Sequence, residues 1–141
     1  MLDEIDWRIL ASLQRDSRIA YAALGRVVGL SGPSVYARIR RLERARVIRG
    51  YGAQIDPVAL DQGLVAFIRV NTQANVANDG PFERFVAREP RIIECHDVDG
   101  KDSYIVKVRT SSPETLRGLI AAIRSLPGIT RTITSIVLLT I

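Results

Sequence analysis

The chain has 141 residues, 47% of them hydrophobic and 25% charged, with a formal net charge of +5; this is the balance of a soluble globular protein of one domain or two small ones, not of a disordered polymer. Its apolar runs are short and broken by Arg, Asp or Pro, which excludes a bilayer span of about 20 residues. The opening Met1-Leu2-Asp3-Glu4-Ile5-Asp6-Trp7 places acids where a secretory signal carries a basic and then an apolar region, so a cytoplasmic location and no membrane partner are expected.

The first helix opens at Asp3, a good N-cap, with Ile5, Ile9, Leu10 and Leu13 recurring at helical spacing. After the break at Asp16-Ser17-Arg18, a second helix is predicted over Tyr21 to Val28, with Leu24, Val27 and Val28 inward and Gly29 supplying the positive φ that closes it. The turn Gly29-Leu30-Ser31 leads to a third helix near Pro33, whose fixed φ suits a first turn, capped by Ser31 or Gly32. Val35, Ile39 and Leu42 share one stripe of that helix; Pro33, Ala37, Arg40, Arg41 and Arg44 face away, with Ser34, Tyr36 and Arg38 on the flanks.

Charge singles out this third helix. Residues 1–50 hold ten arginines against five acids, whereas residues 51–141 balance ten cations against ten acids, so the whole net charge lies in the first third of the chain. Arginines 38, 40, 41, 44, 46 and 49 are opposed by Glu43 alone, and like charges at i, i+3 and i, i+4 spacing destabilise a helix slightly. A solvated basic face is the bland reading of such a run. On the second helix of a helix-turn-helix pattern, double-stranded DNA is the partner that offsets the repulsion, because neutralised phosphates release counterions and pair bidentately with guanidinium groups. The expected DNA-binding residues are Ser31, Ser34, Tyr36, Ala37, Arg38, Arg40, Arg41, Arg44 and Arg49: Ser34, Tyr36, Ala37, Arg38 and Arg41 nearest the bases, Arg40, Arg44 and Arg49 on phosphates. Packing of Tyr36 against the first helix is the competing reading of that residue.

Tyr51 to Gln62 reads as an extended linker followed by a Pro-initiated helical turn. Gly63 to Thr72 is a strand with Leu64, Ala66, Ile68 and Val70 on one face and Val65, Phe67 and Arg69 on the other, which suits a central strand or an interface. A polar loop from Gln73 to Gly80 precedes a helix at Pro81 to Arg88 burying Phe82, Phe85 and Val86. A strand at Arg91 to Val98, the turn Asp99-Gly100-Lys101-Asp102 and a strand at Ser103 to Arg109 form a hairpin. The last helix, from Ser112-Pro113-Glu114 to Pro127-Gly128, buries Leu116, Leu119, Ile120 and Ile123, and a final strand is predicted over Ile129 to Ile141. The order is that of two split βαβ halves, a ferredoxin-like βαββαβ sheet with one face bare, and a second subunit is expected on that face. One cysteine excludes an intrachain disulfide, and Cys95 beside the single histidine, His96, falls short of a zinc set. Both read as ordinary strand residues, and no catalytic residue, metal or cofactor is expected.

These residues resemble, over essentially the whole chain, the Lrp/AsnC or feast/famine family of transcription regulators. The match is carried by Leu2-Asp3 and Asp6 with Ile9-Leu10, Gly29-Leu30-Ser31, Arg38-Ile39 with Arg41-Leu42-Glu43, Val47-Ile48 and Gly50-Tyr51, then Glu94-Cys95, Val98 to Tyr104 and Lys107-Val108. The resemblance implies an α+β protein with a winged helix-turn-helix DNA-binding domain at 1–50, a linker at 51–62 and, at 63–141, a RAM domain related to the ACT fold that senses ligands and oligomerises. It implies homodimers, commonly building octamers, and transcription control by an amino-acid-like effector held near Asp99, Gly100, Asp102, Ser103 and Tyr104 at the interface of RAM domains. Two departures stand out. Arg46 occupies the place of a usual Gly after the third helix, and Ser103 that of a usual Asp in the ligand loop. A hydroxyl supplies no charge to pair an ammonium. Two other readings share parts of this pattern: a tetrapyrrole (sirohaem-type) decarboxylase, since the same fold hosts such enzymes, and a metabolite-binding oligomerisation module without a DNA target.

Overall fold

The computed structural model describes residues 1–73 and 80–141; most of the polar loop expected between Gln73 and Gly80 therefore lies outside the described residues. The chain divides into two compact units, Met1–Gln54 and Ile55–Ile141. The division falls inside the stretch read as a linker.

The first unit holds three helices: α1 (Glu4–Arg15), α2 (Tyr21–Val28) and α3 (Gly32–Arg44). Asp3 caps α1 through a reciprocal box, its carboxylate accepting from the Asp6 N–H while Asp6 accepts from the Asp3 N–H. Gly29, at φ 76°, ends α2 in the left-handed region. Ser31 caps α3, accepting from the Ser34 N–H at 3.3 Å, with Pro33 in the first turn. The predicted stripe Val35, Ile39 and Leu42 is buried with Ile9, Leu24 and Val28, while Ile5, Leu10 and Leu13 pack around it. Each fully buried aliphatic side chain contributes about 1.5–3 kcal/mol, which fixes the face α3 turns inward and so the face it leaves free.

Two details differ from the sequence reading. Val27 is exposed rather than inward, and Gly25 takes the inner position on α2. A Cβ on Gly25 would lie 2.4 Å from the Leu30 carbonyl oxygen, so only glycine lets α2 and the turn approach this closely. After α3, Arg46 sits at φ 58°: the helix end keeps the left-handed geometry with arginine in the place of glycine. Among the described residues of this first unit, no strand follows it. The wing implied by the family resemblance is represented in this chain by residues 49–56 without a ladder partner.

In the second unit, Pro57 opens a single 3-10 turn (Val58–Leu60), followed by β1 (Leu64–Thr72), α4 (Gly80–Arg88), β2 (Ile92–Asp97), β3 (Tyr104–Thr110), α5 (Pro113–Arg124) and β4 (Ile129–Ile136). The strands form one antiparallel sheet in the order β2-β3-β1-β4, the ferredoxin-like arrangement, with β1 central as its two apolar faces predicted. Ala66, Ile68, Val70, Tyr104, Val106 and Val108 share a core with Phe82 of α4 and with Leu116, Leu119 and Ile123 of α5. Ser112 caps α5 in a capping box with Thr115. The opposite sheet face carries half-exposed Phe67, and Lys107, whose Nζ stands 6.0 Å from the Phe67 ring centroid. The final strand is shorter than predicted. Ile136 pairs with Ala66, and the Val137 N–H still donates to the Val65 carbonyl, but the ladder stops there although the register would set Leu138 opposite Leu64, the first residue of β1. Leu138 and Leu139 are accordingly exposed.

Candidate nucleic-acid interface and effector loop

The outward face of α3 carries Ser34, Tyr36, Ala37, Arg40, Arg41 and Arg44, all exposed, with Ser31 at its start and Arg49 beyond its end. Their electrostatic states are not equivalent. Arg38 turns back to the start of α1, its Nη1 donating to Asp3 Oδ2 at 2.6 Å and to Asp6 Oδ1 at 2.8 Å. Arg41 also donates to Asp6, through Nη2, although its side chain is half exposed. Asp6 is fully buried, and its carboxylate is shared by two guanidinium groups and the Asp3 N–H. Burial by itself pushes that carboxyl up; the Asp3 N–H and the Arg38 and Arg41 guanidinium groups outweigh it and hold it below its ordinary value. Asp3 is lowered too, first by its hydrogen bond from Arg38.

The cluster changes the division of labour expected on α3. Arg38 is a brace between the third helix and the N-cap of the first. Arg41 is committed at one nitrogen and accessible at the rest. Arg40 pairs with Glu43 at 2.7 Å on an exposed surface, a contact worth about 0–1 kcal/mol and readily exchanged for another anion. Arg44, Arg46 and Arg49 make no ion pair among the described residues. Tyr36 packs on Tyr21 of α2, ring centroids 5.6 Å apart, and remains half exposed. The Ser34 hydroxyl shares a 2.8 Å hydrogen bond with Ser31. Sequence reasoning missed the acids as structural partners, although Asp3 and Asp6 have the same three-residue spacing as Arg38 and Arg41.

In the second unit, the six residues between β2 and β3 form the predicted ligand loop. Asp99 and Gly100 are exposed, with Gly100 at φ 129°. Ser103 anchors the loop to β1: its N–H donates to the Val70 carbonyl at 3.0 Å, and its hydroxyl accepts from the Thr72 N–H at 3.1 Å and lies 3.2 Å from the Thr72 hydroxyl. Asn71 Nδ2 donates to the Lys101 carbonyl at 2.8 Å, while Asn71 Oδ1 is buried without a partner. Tyr104 is a core residue, its ring 4.7 Å from that of Phe82. The loop surface is thus formed by Asp99 to Asp102. Cys95 is half-buried in β2, where burial pushes its thiol up, which makes it a poor nucleophile. His96 lies 3.3 Å from Glu94, which also meets Lys107 at 3.3 Å.

No helix among the described residues is long and apolar enough to cross a membrane. Residues 2–43 match the AsnC-type helix-turn-helix domain and residues 65–141 the Lrp/AsnC ligand binding domain. The chain is 35% identical to the HTH-type transcriptional regulator FL11 of Pyrococcus horikoshii over 99% of its own length and 91% of the relative's. It is 37% identical to the leucine-responsive regulatory protein of Escherichia coli, over 97% and 85%. Among solved structures, a transcriptional regulator of Neisseria meningitidis in complex with L-methionine superposes with a TM-score of 0.92 at 27% identity, covering 100% of this chain and 92% of that one. LrpC of Bacillus subtilis does so with a TM-score of 0.87 at 29% identity, covering 100% and 97%. Helix-turn-helix head, four-stranded α+β second unit and relatives agree over the whole length: the chain belongs to the Lrp/AsnC family and is a DNA-binding transcription regulator with a ligand-binding domain.

Proposed function

We propose that the protein acts as a twofold homodimer, each α3 entering a major groove of pseudo-palindromic DNA, and that an amino acid bound at the RAM loop biases the assembly between states of different DNA affinity. Residues 1–50 serve as the DNA-binding domain, 51–62 as linker and 63–141 as the sensing and oligomerising domain. The observation that carries this reading is the outer face of α3, where Arg40 and Arg44 stand exposed with Ser34 and Ala37, followed by exposed Arg46 and Arg49 just beyond the helix end. Arg40, Arg44 and Arg49 hold phosphates; Ser34, Ala37 and the accessible part of Arg41 approach base edges. Arg38 acts by fixing the helix rather than by touching a base. The half-exposed Phe67 and the partly buried Ile105 and Ile133 on the open sheet face support a second copy there.

Effector control needs only binding, since a ligand that favours one assembly shifts the DNA-competent population without covalent chemistry. The Neisseria relative is in complex with L-methionine; in this chain the loop between β2 and β3 offers the Asp99 and Asp102 carboxylates to an ammonium group. An enzymatic reading finds no support in the relatives, whose names are those of regulators. The protein is expected to work where DNA is, in the cytoplasm. The deciding experiment is a salt titration of DNA binding: Arg40→Ala with Arg44→Ala should lower the slope of log K against log salt by about 1.8, two phosphates at about 0.9 each. An unchanged slope removes this face from the interface.

A further inference from the structure

At the end of the sheet away from the ligand loop, the turn after Val58–Leu60 and the end of β3 line an open cavity of about 290 Å³ with Leu60, Asp61, Gln62, Arg91, Arg109 and Ser111, among others. Such a space is equivalent to about ten waters at ~30 Å³ each, enough for a small organic molecule. Its two guanidinium groups are in opposite conditions. Arg91 gives Nε and Nη2 to Glu89 at 2.7 and 2.9 Å, a bidentate pair that neutralises it and holds the Glu89 carboxyl below its ordinary value. Among the described residues Arg109 shares no such carboxylate, and its Nε is buried without an acceptor. An enclosed donor on a cation left without a partner costs more than the roughly 1–3 kcal/mol of a neutral one, and native chains retain few of them.

On the same lining, Asp61 is an exposed residue at φ 53° and makes no ion pair among the described residues. Arg91 and Glu89 cancel, so the lining offers one cation without a carboxylate, partly buried, and one exposed anion. A doubly charged oxyanion would exceed the one cation and be repelled by Asp61. A single carboxylate on Arg109 is balanced, and Asp61 is left for a positively charged or hydrogen-bond-donating remainder. We propose that this cavity is a second small-molecule site, which takes a carboxylate on the Arg109 guanidinium. Since β3 runs from Tyr104 to Thr110 at about 3.3 Å per residue, the site stands about 20 Å from the ligand loop. It does not depend on the effector reading of that loop.

The test is an NMR titration of the arginine Nε–H resonances of the full-length protein with sodium acetate, sodium phosphate and sodium chloride at matched ionic strength. Arg109→Lys identifies the Arg109 signal by its loss. The expected result is saturable movement of that signal with acetate and not with chloride, with acetate affinity at least about tenfold lower in Arg109→Met, read from acetate-dependent melting. Three results overturn the proposal: equal, non-saturating movement with acetate and chloride; tighter binding of phosphate than of acetate; or a signal that ignores acetate and moves on dilution, which would show that a second copy already supplies the acceptor. The wild-type titration decides the matter even where Arg109→Met folds poorly.

Discussion

Replacing Asp6 by alanine tests the brace between the first and third helices and, through it, the electrostatics of the DNA face. The carboxylate is completely buried and accepts from the Asp3 N–H at 3.1 Å, from Arg38 at 2.8 Å and from Arg41. Removing one member of a buried ion pair costs about 3–5 kcal/mol when the partner is stranded away from water. Here Arg38 keeps Asp3 and Arg41 is half exposed, so both cations relax toward solvent and that figure is an upper bound. Losing the reciprocal cap adds about 1 kcal/mol. The expected net loss is about 2–3 kcal/mol, read as a lower urea midpoint at unchanged m-value. DNA binding should respond with the opposite sign under conditions where the variant stays folded, because Arg41, whose carboxylate partner is Asp6, is released toward phosphate while Arg38 stays on Asp3: the salt slope steepens by up to about 0.9. A stability loss below about 0.5 kcal/mol would refute the brace, and an unchanged salt slope would refute the claim that Asp6 withholds Arg41 from DNA.

The same cluster sets an acid limit. Asp3 and Asp6 are held below their ordinary value of 3.8, so their stabilisation is complete above about pH 3.8 and is lost as the pH falls through the depressed values. Asp6→Asn should flatten the stability profile below pH 3.8, measured by denaturant melts across that range. Arg46, at φ 58°, should gain about 0.5–1 kcal/mol on replacement by glycine, the relief of left-handed strain less the entropy of a freer unfolded chain; a lower melting temperature would count against that geometry. Ser103→Ala deprives the Thr72 N–H of its acceptor and should cost about 1–2 kcal/mol, with faster hydrogen exchange at the Thr72 amide as the local signature. Unchanged exchange there would mean the loop is not anchored through this hydroxyl.

Local chemistry made much of this legible. Asp3, Gly29, Ser31, Pro33 and Ser112 announce helix ends because capping and left-handed closure depend on adjacent residues, and the i, i+4, i+7 stripe of Val35, Ile39 and Leu42 declares its buried face. Contacts distant in sequence were not readable. Arg38 and Arg41 look like free cations until α1 brings Asp3 and Asp6 beside them, 32 to 35 residues away. Tyr36 meets Tyr21 because α2 passes there. Tyr104 follows the alternation of β3 into the core, a placement its period-2 pattern with Val106 and Val108 already carried, although its position beside the loop suggested otherwise. The apolar run Ile136 to Leu139 overstates β4, since the ladder ends at Ile136 and Leu138 and Leu139 are exposed.

The close approach at Gly25 has a bearing on how such a reader of DNA can diversify. With the Leu30 oxygen standing where a methyl group would go, the tilt of one helix against the next is dictated main chain to main chain. Exchanges among the aliphatic side chains beneath cannot re-aim the probe. Preference for a new operator must then come from outward substitutions alone, and the scaffold behaves as a fixed holder with an exchangeable tip.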